Sequence, residues 1–131
     1  MVKYSMLLNH VGIINKCKEQ AVQSYRDILG FEITKEATVP QELSGQLFAV
    51  SRDIPMLVFK RDGIKIEVFV CPDCEQPSPD FRHIGFLLEN FSEIIERAQQ
   101  VGIELIIGKI KEKTVYFIKD FSGNLIEIKR K

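Results

Sequence analysis

The sequence predicts an α+β fold built from two tandem βαβββ modules. Three observations lead there. Three short patterns occur twice in the same order, and two stretches carry helical apolar stripes that each end on a glycine. The remaining segments are short, rich in β-branched and aromatic residues, and broken by Gly or Pro.

The repeat is the strongest of these. His10-Val11-Gly12-Ile13 returns as His83-Ile84-Gly85-Phe86, and Leu29-Gly30-Phe31-Glu32-Ile33 returns as Val101-Gly102-Ile103-Glu104-Leu105. Each half closes alike, with Gly63-Ile64-Lys65-Ile66-Glu67-Val68 matched by Gly123-Asn124-Leu125-Ile126-Glu127-Ile128. From histidine to the second-pattern glycine the spacing is 20 and then 19 residues; from histidine to closing glutamate it is 57 and then 44. The first half therefore has the longer middle. The modules are expected at about residues 5–72 and 80–131 of a single 131-residue domain.

Within the first half, Ala21, Tyr25, Ile28 and Leu29 form one stripe, and Gly30 stands where a helix C-cap glycine belongs. In the second, Ile94, Ile95, Ala98 and Val101 make the stripe, Asn90 with Glu93 reads as a capping pair, and Gly102 ends the helix. Strands are expected over residues 31–39, 47–50, 56–60, 64–70, 104–110, 114–119 and 124–129, besides the strand that opens each half.

Composition narrows the function. The chain is 45% hydrophobic and 27% charged, with no run near the ~20 apolar residues of a membrane span, so a soluble, cytoplasmic protein is expected. Eighteen basic residues balance eighteen acidic ones, which gives no field to attract nucleic acid or an anionic membrane. The lysines at 109, 111 and 113 and the basic tail at 129–131 are read as solvated charges. Three cysteines are an odd number and argue against a disulfide framework. Cys71 and Cys74 form a C-x-x-C, but Pro72, Pro77 and Pro79 suggest an extended connector between the halves with two incidental thiols.

The chemistry sits at the repeated positions. Ile64, Ile66 and Val68 share one strand face, so Glu67 faces the other way with Lys65 and Phe69; Glu127 alternates likewise against Ile126 and Ile128, with Leu125 and Lys129 on its side. One such glutamate would ordinarily be a solvated strand residue. The chain has only two histidines, however, and both open a repeated strand. Two imidazoles and two carboxylates at equivalent positions make a donor set suited to one divalent cation, with His10, Glu67, His83 and Glu127 as its ligands.

These residues, with Tyr25-Arg26-Asp27-Ile28-Leu29-Gly30-Phe31 and Asp120-Phe121-Ser122-Gly123-Asn124-Leu125-Ile126-Glu127, resemble the vicinal oxygen chelate superfamily, the glyoxalase, bleomycin-resistance and extradiol dioxygenase fold. The likeness covers nearly the whole chain; Phe121 and Ser122 replace Pro and Asp of the family's closing motif. The resemblance implies two modules whose curved mixed sheets form a cleft around one divalent ion (Zn, Ni, Mn, Co or Fe). It also implies a homodimer whose modules pair within one chain or across two, so that one site can draw all four ligands from one chain, or His10 and Glu67 from one subunit and His83 and Glu127 from the other. The His, Glu, His, Glu order is similar to the glyoxalase I branch and its small lactoylglutathione-lyase-like relatives. That implies a lyase or isomerase acting on a small substrate through chelation of neighbouring oxygens and an enediolate or enolate, with Glu127 and Glu67 as its acid–base residues. The runner-up is a non-catalytic small-molecule binding or resistance protein of the bleomycin-resistance type. Extradiol dioxygenases need a further histidine, fosfomycin-resistance enzymes lack the second carboxylate, and methylmalonyl-CoA epimerases carry Gln where Glu67 stands. Glyoxalase I itself has an arginine four residues after its first histidine, where this chain has Ile14, so the glutathione contact is missing.

Overall fold

The computed structural model describes residues 4–75 and 81–131. The first half forms β1 (Val11–Asn15), α1 (Lys18–Ala21), a π-helical continuation (Val22–Ile28), β2 (Glu32–Val39), α2 (Gln41–Phe48), β3 (Ile54–Arg61) and β4 (Ile64–Val70). The second forms β5 (His83–Leu88), α3 (Phe91–Gln100), β6 (Leu105–Ile110), β7 (Lys113–Lys119) and β8 (Leu125–Arg130). Each half makes one four-stranded sheet, ordered β1-β4-β3-β2 and β5-β8-β7-β6. The opening strand lies parallel to the closing one in both, and the other pairings are antiparallel. Gly12 sits beside Glu67 in the first sheet and Gly85 beside Glu127 in the second, so the repeat is kept in register.

The alternation of β4 and β8 decides what is inside. Ile66, Val68, Ile126 and Ile128 are buried against Ala21, Tyr25, Ile28 and Leu29 of the first helix and Phe91, Ile94 and Ala98 of α3. One apolar cluster runs through both halves, and the Phe31 and Phe86 rings meet at 5.9 Å. The expected terminal glycines are in place, since Gly30 and Gly102 adopt φ of 77° and 78°, a left-handed geometry that costs other residues strain.

Three local expectations fail. Residues 47–50 are not a strand: Leu47 and Phe48 end α2, whose one buried position is Ser44, with its hydroxyl against the carbonyls of Val50 (2.7 Å) and Arg52. A polar side chain thus fixes this helix to its following loop, while Leu43, Leu47 and Phe48 point outward. Asn90 does not cap α3 with its side chain; its amide instead lies 3.5 Å from Glu93, which pairs with Arg97 one turn on. Cys71 and Cys74 are not incidental thiols but a disulfide with Cα atoms 5.3 Å apart. The Cys74 amide donates to the Cys71 carbonyl (3.3 Å), a turn in which Pro72 holds the second position that proline's fixed φ suits. The rest of the expected connector, residues 76–80 with Pro77 and Pro79, lies outside the described residues. Among the described residues, no helix is long and apolar enough to cross a membrane.

Candidate metal centre

Each half brings its own histidine and glutamate together. His10, just ahead of β1, places Nε2 3.2 Å from Glu67 Oε1 on β4, and His83, opening β5, places Nε2 3.4 Å from Glu127 Oε1 on β8. Both pairs stand on the sheet face away from the helices, with the carboxylates four-fifths covered and the rings about 40% and 36% exposed. The parallel strand pairing is what makes this possible. A histidine at the start of one strand lies diagonally across from a glutamate whose in-register neighbour is a glycine, so no side chain stands between them.

The second ring nitrogens are also held. His83 Nδ1 lies 2.8 Å from the Phe81 carbonyl, and His10 Nδ1 lies 2.7 Å from Asn9 Oδ1. A backbone carbonyl only accepts, so Nδ1 of His83 must carry the proton and donate it. In the neutral ring Nε2 then presents a lone pair to a carboxylate oxygen that also only accepts. Two acceptors this close call for a proton or a cation between them. An oriented imidazole with Nδ1–H on a carbonyl and Nε2 facing a carboxylate is the usual preparation of a divalent-metal ligand, so the donor set fits.

The four expected ligands do not converge within the chain. Among the described residues, no three of His, Cys, Asp or Glu gather around one point, so the quartet is present as two separate pairs. The pairs also have unequal surroundings. The His83 ring meets Phe117 edge-on at 5.0 Å, and Lys129 Nζ lies 3.6 Å from Glu127 Oε2. On the first sheet Phe69 holds the position matching Lys129; it leans over Gly12, where an added Cβ would meet its ring at 3.2 Å, and touches Phe48 at 5.5 Å.

Sequence reasoning missed the group that joins the halves. Asp120 is buried in the turn before β8 and accepts from the amides of Ser122 and Asn124 (both 2.9 Å), the Tyr25 hydroxyl (2.7 Å), Asn124 Nδ2 (2.8 Å) and Asn15 Nδ2 (3.3 Å). Burial first, and then the Asp120 charge, push the Tyr25 phenol well above its usual range. Its partners Asn15 and Tyr25, about a hundred positions away in sequence, left no local signal.

A family model described as the Glyoxalase/Bleomycin resistance protein/Dioxygenase superfamily matches residues 7–128. The chain belongs to this superfamily. No curated protein matches it in sequence. Among solved structures, a glyoxalase family protein from Bacillus cereus is 20% identical over 98% of this chain and 96% of that one, with a TM-score of 0.73. A glyoxalase family protein from Enterococcus faecalis is 22% identical over 93% and 95%, at 0.66. A variant of the fosfomycin resistance protein FosX from Listeria monocytogenes, complexed with Mn(II) and 1S,2S-dihydroxypropylphosphonic acid, is 18% identical over 98% and 92%, at 0.71. These likenesses establish the superfamily's two-module α+β fold for this chain.

Proposed function

We propose that the protein is a metal-dependent lyase or isomerase of the glyoxalase I type, active as a homodimer with two composite sites. In each site His10 and Glu67 would join the partner subunit's His83 and the partner subunit's Glu127 around one divalent ion. The observation that carries this reading is the pair of register-equivalent His–Glu couples, each with Nδ1 tied back and Nε2 turned to its carboxylate. Either couple alone supplies two donors, whereas catalytic zinc sites use three from the protein. Ile14 and Leu87, on the same faces as the couples, are 48% and 65% exposed, an apolar surface that a second copy of the chain would cover.

A divalent ion so bound would polarise two neighbouring oxygens of a small substrate and acidify the adjacent C–H. The proton then needs a carboxylate close to that carbon, and we assign it to Glu127, with Glu67 across the site on the opposite face. Lys129 gives Glu127 an alternative counter-charge that, among the described residues, Glu67 lacks, which favours Glu127 as the ligand that releases and acts as base. Metal analysis with a deuterium-exchange assay tests the reading. The wild type, incubated in D2O with a panel of 2-oxo and 2-hydroxy acids, should wash out the α-proton of at least one of them. Glu127→Gln should keep most of its metal while losing about 100-fold of that rate. Exchange at the wild-type rate in Glu127→Gln would overturn the assignment, and wild-type metal content in His10→Ala or His83→Ala would overturn the site.

A further inference from the structure

The disulfide follows β4, its first cysteine four residues beyond Glu67, and has a cation set against it. Arg52, in the loop after α2, divides its guanidinium between two partners. Its Nη1 donates to Asp73 Oδ1 (2.7 Å) and Oδ2 (3.0 Å), and its Nη2 lies 2.8 Å from Cys71 Sγ and 3.7 Å from Cys74 Sγ. The loop is held by the buried Ser44 hydroxyl, which contacts the carbonyls of Val50 and Arg52. The two cysteines differ in access, because Cys71 is 6% exposed while Cys74 is half-buried. Cys71 is also fixed by its amide, which donates to the Asn15 carbonyl of β1 (2.8 Å).

We propose that Cys71–Cys74 is a thiol–disulfide exchange centre for low-molecular-weight thiols, in which Cys74 receives the attack and Cys71 leaves. An incoming thiolate bonds to Cys74 Sγ, the Cys71–Cys74 bond breaks, and its electron pair stays on Cys71 Sγ as a thiolate facing Arg52 Nη2. A second thiolate attacks the outer sulfur of the mixed disulfide and releases Cys74 as a thiolate, which takes a proton from solvent. The protein is reduced by two electrons and the two small thiols are oxidised to their disulfide.

Three features separate this from a structural staple. Closing a loop between cysteines three positions apart removes little chain entropy, so the bond does little to hold the fold. Exchange is fastest when the leaving sulfur is a stabilised thiolate, and the guanidinium is placed on the sulfur that would leave. The Asp73 carboxylate is farther from that sulfur, at 3.6 Å, and is itself occupied by Arg52 Nη1, so the nearer charge is the attractive one. The attacked sulfur, finally, is the accessible one.

Glutathione is the probe, and Cys17→Ser removes the remaining free cysteine. In that background, reduced glutathione added to the oxidised protein and quenched early with maleimide should leave glutathione on Cys74 and maleimide on Cys71 in at least tenfold excess over the opposite arrangement, read by peptide mass mapping. Reduction of the native disulfide by excess glutathione should slow about tenfold in Arg52→Met. Glutathione found equally on the two cysteines, or a disulfide that millimolar glutathione leaves untouched, would overturn the proposal. The mapping leaves Arg52 in place, so it decides the matter even where Arg52→Met fails to fold.

Discussion

Asp120→Ala should be among the most damaging single substitutions in the chain although it touches neither His–Glu couple. The carboxylate is 4% exposed and serves the fully buried Tyr25 hydroxyl and Asn15 amide from the other half, besides the turn amides of Ser122 and Asn124. Removing it strands two buried donors, each at about 1–3 kcal/mol, and loosens a turn. Water can reach the turn amides more readily than it can reach Tyr25 and Asn15, so the buried pair dominates and the sum is about 3–5 kcal/mol. In a chain of this size that lowers the melting temperature by roughly 11–18 °C. Asp120→Asn keeps an oxygen for the turn amides, and Tyr25 and Asn15 can reorient, so it should cost about 1–2 kcal/mol. Urea unfolding of the metal-free protein, followed by circular dichroism, gives both values. A loss under 1 kcal/mol for Asp120→Ala would refute the claim that this carboxylate holds the halves together.

Other outcomes follow from single contacts. Tyr25 has its folded-state pKa raised above that of the unfolded chain, so its contribution to stability is complete below about pH 10 and is lost as pH rises above it. Stability measured from pH 8 to 11 should fall more steeply in the wild type than in Tyr25→Phe, and equal slopes would contradict this. Lys129→Met removes a cation 3.6 Å from Glu127 that competes with a metal ion, so metal affinity should rise a few-fold in a chelator competition; a fall would show that Lys129 helps to build the site. Ile14, exposed on the face that carries His10, offers no cation to a tripeptide carboxylate, so the glutathione hemithioacetal of methylglyoxal should be a poor substrate. Turnover of roughly 10 per second or more, with KM below about 1 mM, would show that another residue supplies the contact.

The fold was readable because its signals are local and come twice. The helix stripes, the glycines at their ends and the alternation around Glu67 and Glu127 all fall within a few residues, and the observed sheets keep them in register. Where a local rule was inverted the reading failed. In α2 the buried position is a serine and the leucines face out, so apolar periodicity misplaced Leu47 and Phe48. Pro72 argued for extended chain, but at the second position of a turn it brings Cys71 and Cys74 together. The widening of the first helix into π geometry over Val22–Ile28 had no sequence signal. At the site, alternation put each glutamate on the outer face and the repeat linked it to its histidine. How the two couples stand to one another depends on packing between modules, which periodicity does not encode.

The central claim, that two chains share each metal site, is tested most directly by mixing two crippled variants. One carries His10→Ala with Glu67→Gln and the other His83→Ala with Glu127→Gln. In a homodimer of either, every composite site has lost one couple. In the mixed dimer one site has lost both couples and the other has all four ligands. After unfolding and refolding the two together, half of the dimers should be mixed, each with one intact site of two, so the mixture should hold about a quarter of the wild-type metal while each variant alone holds almost none. Metal content in the mixture no higher than in the separate variants would contradict the shared site.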